Sequence, residues 1–219
     1  MRKGLIVFGA LLLLLAFGWV ICNVTGIFKM YTTPTTGNEP GLKQGSRFFA
    51  SSLKDPEAGD LIVYRKDSML YTHRLIGMAG DIVEIKKGTV LINGKDFDRS
   101  LKLKHGYILN EADARALASE GLADPDDVRP VPGGQYLVLL EDHIAKAKVP
   151  SSIRWLMNEN EAEKMIKEQY GKDWNKDHLG PYTIPDGKLF VLGDNRDNSI
   201  DSRYFGCINA SDVKGTVLK

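Results

Sequence analysis

Gly193-Asp194-Asn195-Arg196-Asp197-Asn198-Ser199-Ile200-Asp201-Ser202-Arg203-Tyr204-Phe205-Gly206 is the stretch on which the reading of this chain turns. Its Gly, Asp, Asn and Ser residues are the types that make turns through local side-chain hydrogen bonds, so it reads as an acidic loop and neither a helix nor a strand. The spacing of Asp194, Asp197 and Asp201 suggests calcium ligands, but the glycine and closing glutamate of an EF-hand are missing, and no metal is expected. Asp201 and Arg203 are better read as an internal ion pair that shapes the loop.

Strand signals flank the loop, at 182–184 and 188–192 before it and near 215–218 after it. Further upstream, short apolar runs predict strands at 47–50, 60–65, 70–76, 82–86 and 89–92. Lys87-Gly88 and Asn93-Gly94 fall where hairpin turns belong. Residues from about 101 to 173 change character: 111–121 and 160–170 carry Ala, Glu, Lys and Leu at helical spacing, which predicts an inserted mixed subdomain. Helix 160–170 reads as a solvated amphipathic face. His105, His143 and His178 show no ligand spacing and are expected at the surface.

At the other end, Arg2 and Lys3 precede an apolar run over 4–27, roughly 35 Å of helix at about 1.5 Å per residue. A cleavable signal would be shorter and end in a small-x-small site. Lipid modification at Cys22 would require small residues before it, whereas Val20 and Ile21 are bulky. The run therefore predicts an uncleaved transmembrane anchor with a cytoplasmic N-terminus, and everything after residue 28 on the outer side.

Composition narrows the partners. Lys and Arg total 29 against 28 for Asp and Glu, so a formal charge of +1 supplies no field for nucleic acid. Cys22 and Cys207 sit in such different surroundings that no disulfide is expected.

Four segments, in order, resemble the signal peptidase I family. The acidic loop is close to the family's GDNRDNSxDSRxFG along its whole length. Before it, Trp174-Asn175-Lys176-Asp177 and Gly180-Pro181-Tyr182-Thr183-Ile184-Pro185 look like the family's approach to that loop. Tyr71-Thr72-His73-Arg74-Leu75-Ile76-Gly77 with Gly80-Asp81 resembles KRVIGxPGD. Residues 34–45 match the frame of PSGSMxPTLxxGD at Pro34, Pro40, Leu42 and Gly45. The resemblance implies a transmembrane helix plus a mainly-β domain of antiparallel sheets with an inserted α/β subdomain. The divisions are then 1–28 for tip and anchor, 29–100 with 174–219 for the catalytic-type domain, and 101–173 for the insertion. It also implies a serine endopeptidase of the bacterial cytoplasmic membrane that removes signal peptides from secreted preproteins after small-x-small sites, with lipid contact through one helix, no nucleic acid and no cofactor.

Family members pair a serine nucleophile with a lysine that must lose its proton to act as base, which takes a fall of several units from about 10.4. Here His73 holds the lysine place. Histidine titrates near 6.5 and already serves as a base at neutral pH, as in the endoplasmic-reticulum and archaeal relatives. Asp201 or Asp194 is a candidate to orient its ring, and Ser202 resembles the family serine that contacts the base. Gly37 holds the nucleophile place, and glycine has no side chain to attack with. Its N–H, with Thr35 in the place of a second donor, leaves half an oxyanion site. Thr36 is the candidate substitute nucleophile, although one residue of displacement turns a side chain elsewhere in an extended loop. Two functions follow: a signal-peptide endopeptidase, or a non-catalytic paralogue that binds peptide as an accessory membrane protein.

Overall fold

The computed structural model describes the backbone of residues 2–218, and the side chains in that span except those of Arg2, Lys3, Leu5, Cys22 and Asn23. The readings that rest on Arg2, Lys3 and Cys22 lie outside the described side chains. Helix α1 (Arg2–Thr25) has 24 residues, about 36 Å of helix. It is apolar on all sides, with Ile6, Leu13 and Phe17 each more than half exposed. Among the described residues, however, no helix is long and apolar enough to cross a membrane. The expected span is therefore not established by the fold.

Beyond α1 the chain is mainly antiparallel β. The strands are β1 (Lys29–Thr32), β2 (Arg47–Ser51), β3 (Leu61–Lys66), β4 (Met69–Met78), β5 (Ile82–Lys86), β6 (Thr89–Ile92), β7 (Lys95–Asp96), β8 (Lys104–Asn110), β9 (Val128–Val131), β10 (Gln135–Glu141), β11 (Ile153–Arg154), β12 (His178–Thr183), β13 (Lys188–Leu192), β14 (Ile208–Asn209) and β15 (Val213–Val217). They form a seven-stranded sheet, β1-β2-β15-β3-β4-β13-β14, and two four-stranded sheets, β12-β5-β6-β7 and β11-β8-β10-β9. The two hairpin turns are where the sequence puts them. Lys87 and Gly88 both have positive φ (48° and 72°), as do Asn93 and Gly94 (51° and 77°), the double left-handed conformation of a type I′ turn.

The first two sheets share a core. Ile76, Phe190 and Leu192 of the large sheet meet Val83, Ile85, Val90 and Leu179 of the second and Ile184 just after β12, all within a few per cent of complete burial. At about 25 cal/mol per Å² of apolar area, side chains buried this fully stabilise by about 1.5–3 kcal/mol each. The third sheet lies wholly within residues 104–154 and has its own core, in which Leu109, Val138 and Leu140 pack against Ala114 and Leu117 of α2 (Glu111–Ser119) and Ala145 of α3 (Asp142–Lys148). Helix α4 (Lys164–Tyr170) goes elsewhere. Its Ile166 is fully buried in the core of the first two sheets and Tyr170 packs against that core, so the expected solvated helix has a pinned face. His143 is exposed and His178 half-buried, but His105 is only 2 % exposed, which corrects its expected surface position. It stands on β8 with its ring held by Asp142 at 2.7 Å.

Candidate active site

The site gathers around β4, where neighbouring residues point to opposite faces. His73 and Arg74 are such neighbours, and the loop after β13 reaches both. On one side Asp194 takes two bonds from Arg74, Nε at 2.6 Å and Nη2 at 2.5 Å, while Nη1 donates to the Gly59 carbonyl. On the other, Ser199 Oγ lies 3.2 Å from His73 Nε2. One loop thus grips both faces of a single strand.

Each aspartate of that loop has its own cation. Asp197 bonds Lys176 Nζ at 2.5 Å and accepts from the Gly106 N–H. Asp201, fully buried, accepts from Arg203 Nε at 2.9 Å and Nη2 at 2.8 Å and from the Gly193 N–H at 3.1 Å. The cations hold these carboxyls below the usual range against the opposing push of burial. Removing one partner of such a buried pair costs about 3–5 kcal/mol.

His73 is 6 % exposed and bonded at both ring nitrogens. Nδ1 lies 2.8 Å from the hydroxyl of Tyr64 on β3. Pairing of Ile62 with His73 across β3 and β4 puts Tyr64 two residues along on the same face. Tyr71 and Phe205 complete an aromatic wall around the ring. Burial pushes the imidazole down to about 4; the nearby Asp201 charge resists this and Arg203 adds to it. Burial also pushes the Tyr64 phenol upward, so it stays a neutral hydroxyl. Either neutral tautomer satisfies both contacts, and the one competent as a base has Nδ1–H donating to Tyr64 and the Nε2 lone pair accepting from the Ser199 hydroxyl.

This geometry revises the expected orienting groups. Asp194 is committed to Arg74, and Asp201 to Arg203. Ser202 Oγ accepts from the Val191 N–H at 2.9 Å, so it shapes the turn into α5 (Ser202–Phe205) and does not touch the base. Tyr64 and Ser199 hold the ring instead. Ser199 was within reach of sequence reading, since it lies in the recognised loop. Tyr64 was not, because only strand register brings it to the ring.

Between β1 and β2, residues 33–42 form the opposite wall. Asn38 Nδ2 donates to the Thr72 carbonyl on β4, and the Asn195 N–H donates to the Gly37 carbonyl at 3.0 Å, so this loop is fastened to the base strand and to the acidic loop. Thr36 Oγ1 accepts from Asn198 Nδ2 at 2.9 Å and makes no bond to His73, which argues against it as the substitute nucleophile. A Cβ placed on Gly37 would stand 3.5 Å from the Asn198 carbonyl and 3.7 Å from both Ser199 Oγ and Thr35 Oγ1. Those are ordinary contacts, and the Gly37 φ is not left-handed, so a side chain fits there. By contrast, a Cβ on Gly193 would come within hard contact of Ser199 Oγ and lie 2.5 Å from the Gly37 carbonyl. Glycine at 193 is what lets the two loops close.

The walls enclose a cleft of about 640 Å³. Tyr31, Val63, Met69, Leu70 and Ile200 make it mostly apolar, and His73, Ser199 and Gly37 stand within it. Such a groove suits an extended peptide with small apolar side chains.

Comparison with known proteins shows which family the chain is similar to. The chain is 27% identical over 195 residues to signal peptidase I S of Bacillus subtilis, covering 87% of this chain and 74% of that one. It is 27% identical over 207 residues to signal peptidase I of Aquifex aeolicus, covering 86% and 73%. A crystal structure of a signal peptidase I from Enterococcus faecalis aligns over 76% of this chain and 98% of that one, at 23% identity and a TM-score of 0.37. The family model described as signal peptidase, peptidase S26, matches residues 5–218, a span that takes in the base strand, the acidic loop and the insertion between them. This chain accordingly belongs to the signal peptidase family, peptidase S26.

Proposed function

We propose that this chain is a membrane-anchored signal peptidase relative that binds the signal peptides of translocated precursors in its cleft and does not hydrolyse them through position 37. One observation carries the reading. Position 37, which lines the same cleft as His73, has room for a side chain and holds glycine, while the base, its two hydrogen bonds and the apolar groove are all present. The apolar surface of α1 supports anchoring, which would hold the cleft where precursors emerge from a bacterial cytoplasmic membrane. His73 is the base this site would use, and the Gly37 N–H with Thr35 is the remnant of its oxyanion site.

A second reading rests on the 3.2 Å contact between Ser199 Oγ and His73 Nε2. A serine hydroxyl bonded to a neutral imidazole is a nucleophile and base pair, so Ser199, which also lines the cleft, would attack in place of a residue at position 37.

Both readings are tested with the full-length chain in detergent and a fluorescent signal peptide ending in an Ala-x-Ala segment. Binding is followed by anisotropy and peptide integrity by mass spectrometry. Saturable binding with intact peptide is expected, and Gly37→Leu should weaken binding about tenfold or more by filling the groove. Cleavage by the unmodified chain that vanishes in Ser199→Ala would establish the second reading. Absence of saturable binding would overturn the first.

A further inference from the structure

A second cavity, of about 380 Å³, lies where α3, β11 and the segment between β7 and β8 meet, away from His73. Two polar atoms buried at its lining have no hydrogen-bond partner among the described residues, Nε2 of His105 and Nε of Arg154. An unpartnered buried donor or acceptor costs about 1–3 kcal/mol, so two on one cavity point to a ligand that supplies the missing bonds.

The charges around the cavity identify its class. Every acid at the rim is already engaged: Asp98 bonds Arg196 through both oxygens, Asp96 accepts the N–H groups of Asp98 and Arg99, and Asp142 accepts from His105 and Tyr107. Three rim cations, Arg99, Lys102 and Lys146, have no ion-pair partner among the described residues. Arg154 is held in place by a bond from Nη2 to the Gly88 carbonyl at 2.9 Å, and a Cβ on Gly88 would stand 2.7 Å from that nitrogen. The hairpin glycine therefore has a second duty, letting the guanidinium pass.

We propose that this cavity binds a tetrahedral oxyanion, a sulfate or a phosphate group, with Arg154 Nε and His105 Nε2 as its inner donors and Lys102 and Lys146 at its mouth. Arg154 donates as it stands. His105 must first take up a proton: its Nδ1–H is held by Asp142, so a neutral ring presents a lone pair at Nε2, and only the imidazolium presents an N–H there. Binding is thus coupled to uptake of one proton.

The groups that set this proton are Asp142 on α3, Tyr107 on β8 itself, Arg154 on β11, and Arg196 and Asp197 on the acidic loop, with His143 and Lys146 further out on α3. Without a ligand, burial lowers the His105 pKa against the pull of Asp142, and Arg154 and Arg196 lower it further. An added anion offsets the two guanidinium charges and favours the imidazolium. Affinity should therefore fall as pH rises, by up to about tenfold per unit while the free ring is neutral and the bound ring protonated.

The test is isothermal titration of the full-length chain in neutral detergent with sulfate, whose charge stays constant, at about pH 5.5 and about pH 7.5, with chloride holding ionic strength fixed. Saturable binding that is tighter at the lower pH is expected. His105→Gln keeps a donor N–H without needing a proton, so it should bind with the pH dependence removed. Lys102→Ala with Lys146→Ala should weaken binding about five- to tenfold without changing the thermal midpoint. Repeating the sulfate titration in nanodiscs of phosphatidylcholine, with and without phosphatidylglycerol, separates the sources: loss of sulfate binding only with the anionic lipid assigns the site to a headgroup, and unchanged binding assigns it to a soluble oxyanion. No saturable heat in the unmodified chain would overturn the proposal. So would a His105→Gln variant with the pH dependence of the parent.

Discussion

Gly37→Ser is the perturbation most directly dictated by the geometry. The new Cβ meets three atoms at 3.5–3.7 Å, all ordinary contacts, and the backbone there needs no left-handed φ, so the change should leave folding stability within about 1 kcal/mol. The added hydroxyl hangs one bond from a point 3.7 Å from Ser199 Oγ, which itself lies 3.2 Å from His73 Nε2. A hydroxyl on residue 37 would therefore sit within reach of Ser199 Oγ, which bonds an imidazole that is neutral above about pH 4. General-base assistance by a positioned side chain contributes about 10²–10⁴-fold. Peptide cleavage at the Ala-x-Ala site should therefore rise by about 10²–10⁴-fold over the parent, about 3–5 kcal/mol of transition-state stabilisation. The assay is single-turnover cleavage of the same signal peptide by full-length protein, with fragment masses locating the cut. His73→Ala in the Gly37→Ser background should remove most of the gain. A Gly37→Ser protein that is folded and binds peptide but cleaves no faster than the parent would refute the claim that the site lacks only its nucleophile.

Three further outcomes follow from the same site. His73 has a folded pKa of about 4 against about 6.5 unfolded, so the unfolded chain binds the proton first on acidification; the stability lost from pH 7 to pH 4, read by urea unfolding, should be smaller by about 3 kcal/mol in His73→Gln. Tyr64→Phe leaves Nδ1 of a buried ring without a partner; it should destabilise by about 1–3 kcal/mol and, in the Gly37→Ser background, reduce cleavage at neutral pH more than peptide affinity. Gly193→Ala drives a methyl into Ser199 Oγ and the Gly37 carbonyl, and a thermal midpoint unchanged from the parent would show that the loops are less tightly closed than these contacts imply; a loss of about 1–3 kcal/mol is expected.

Much of this protein was legible in its residues. Short apolar runs placed β5, β6 and β13 to the residue, and the Lys87-Gly88 and Asn93-Gly94 turns followed from the need for positive φ at two successive positions. The expectation of a base at position 73 and of a missing nucleophile at position 37 came from the resemblance of residues 34–45 and 71–81 to the signal peptidase I motifs. Other features depended on chain segments far apart in sequence. Tyr64 reaches His73 through strand register, Ser199 reaches it because the acidic loop folds back across β4, and Asp194 is drawn to Arg74 on the opposite face of the same strand. His105 was expected at the surface because it stands at no ligand spacing from another histidine, a pattern that says nothing about burial. Its burial comes from α3 and β11 closing over β8, with Asp142 37 residues away taking its Nδ1. Local sequence determines the pleat, the turns and the chemical type of each side chain, because these depend on neighbours a few residues away; which polar groups meet in the dry interior is decided only when the sheets pack.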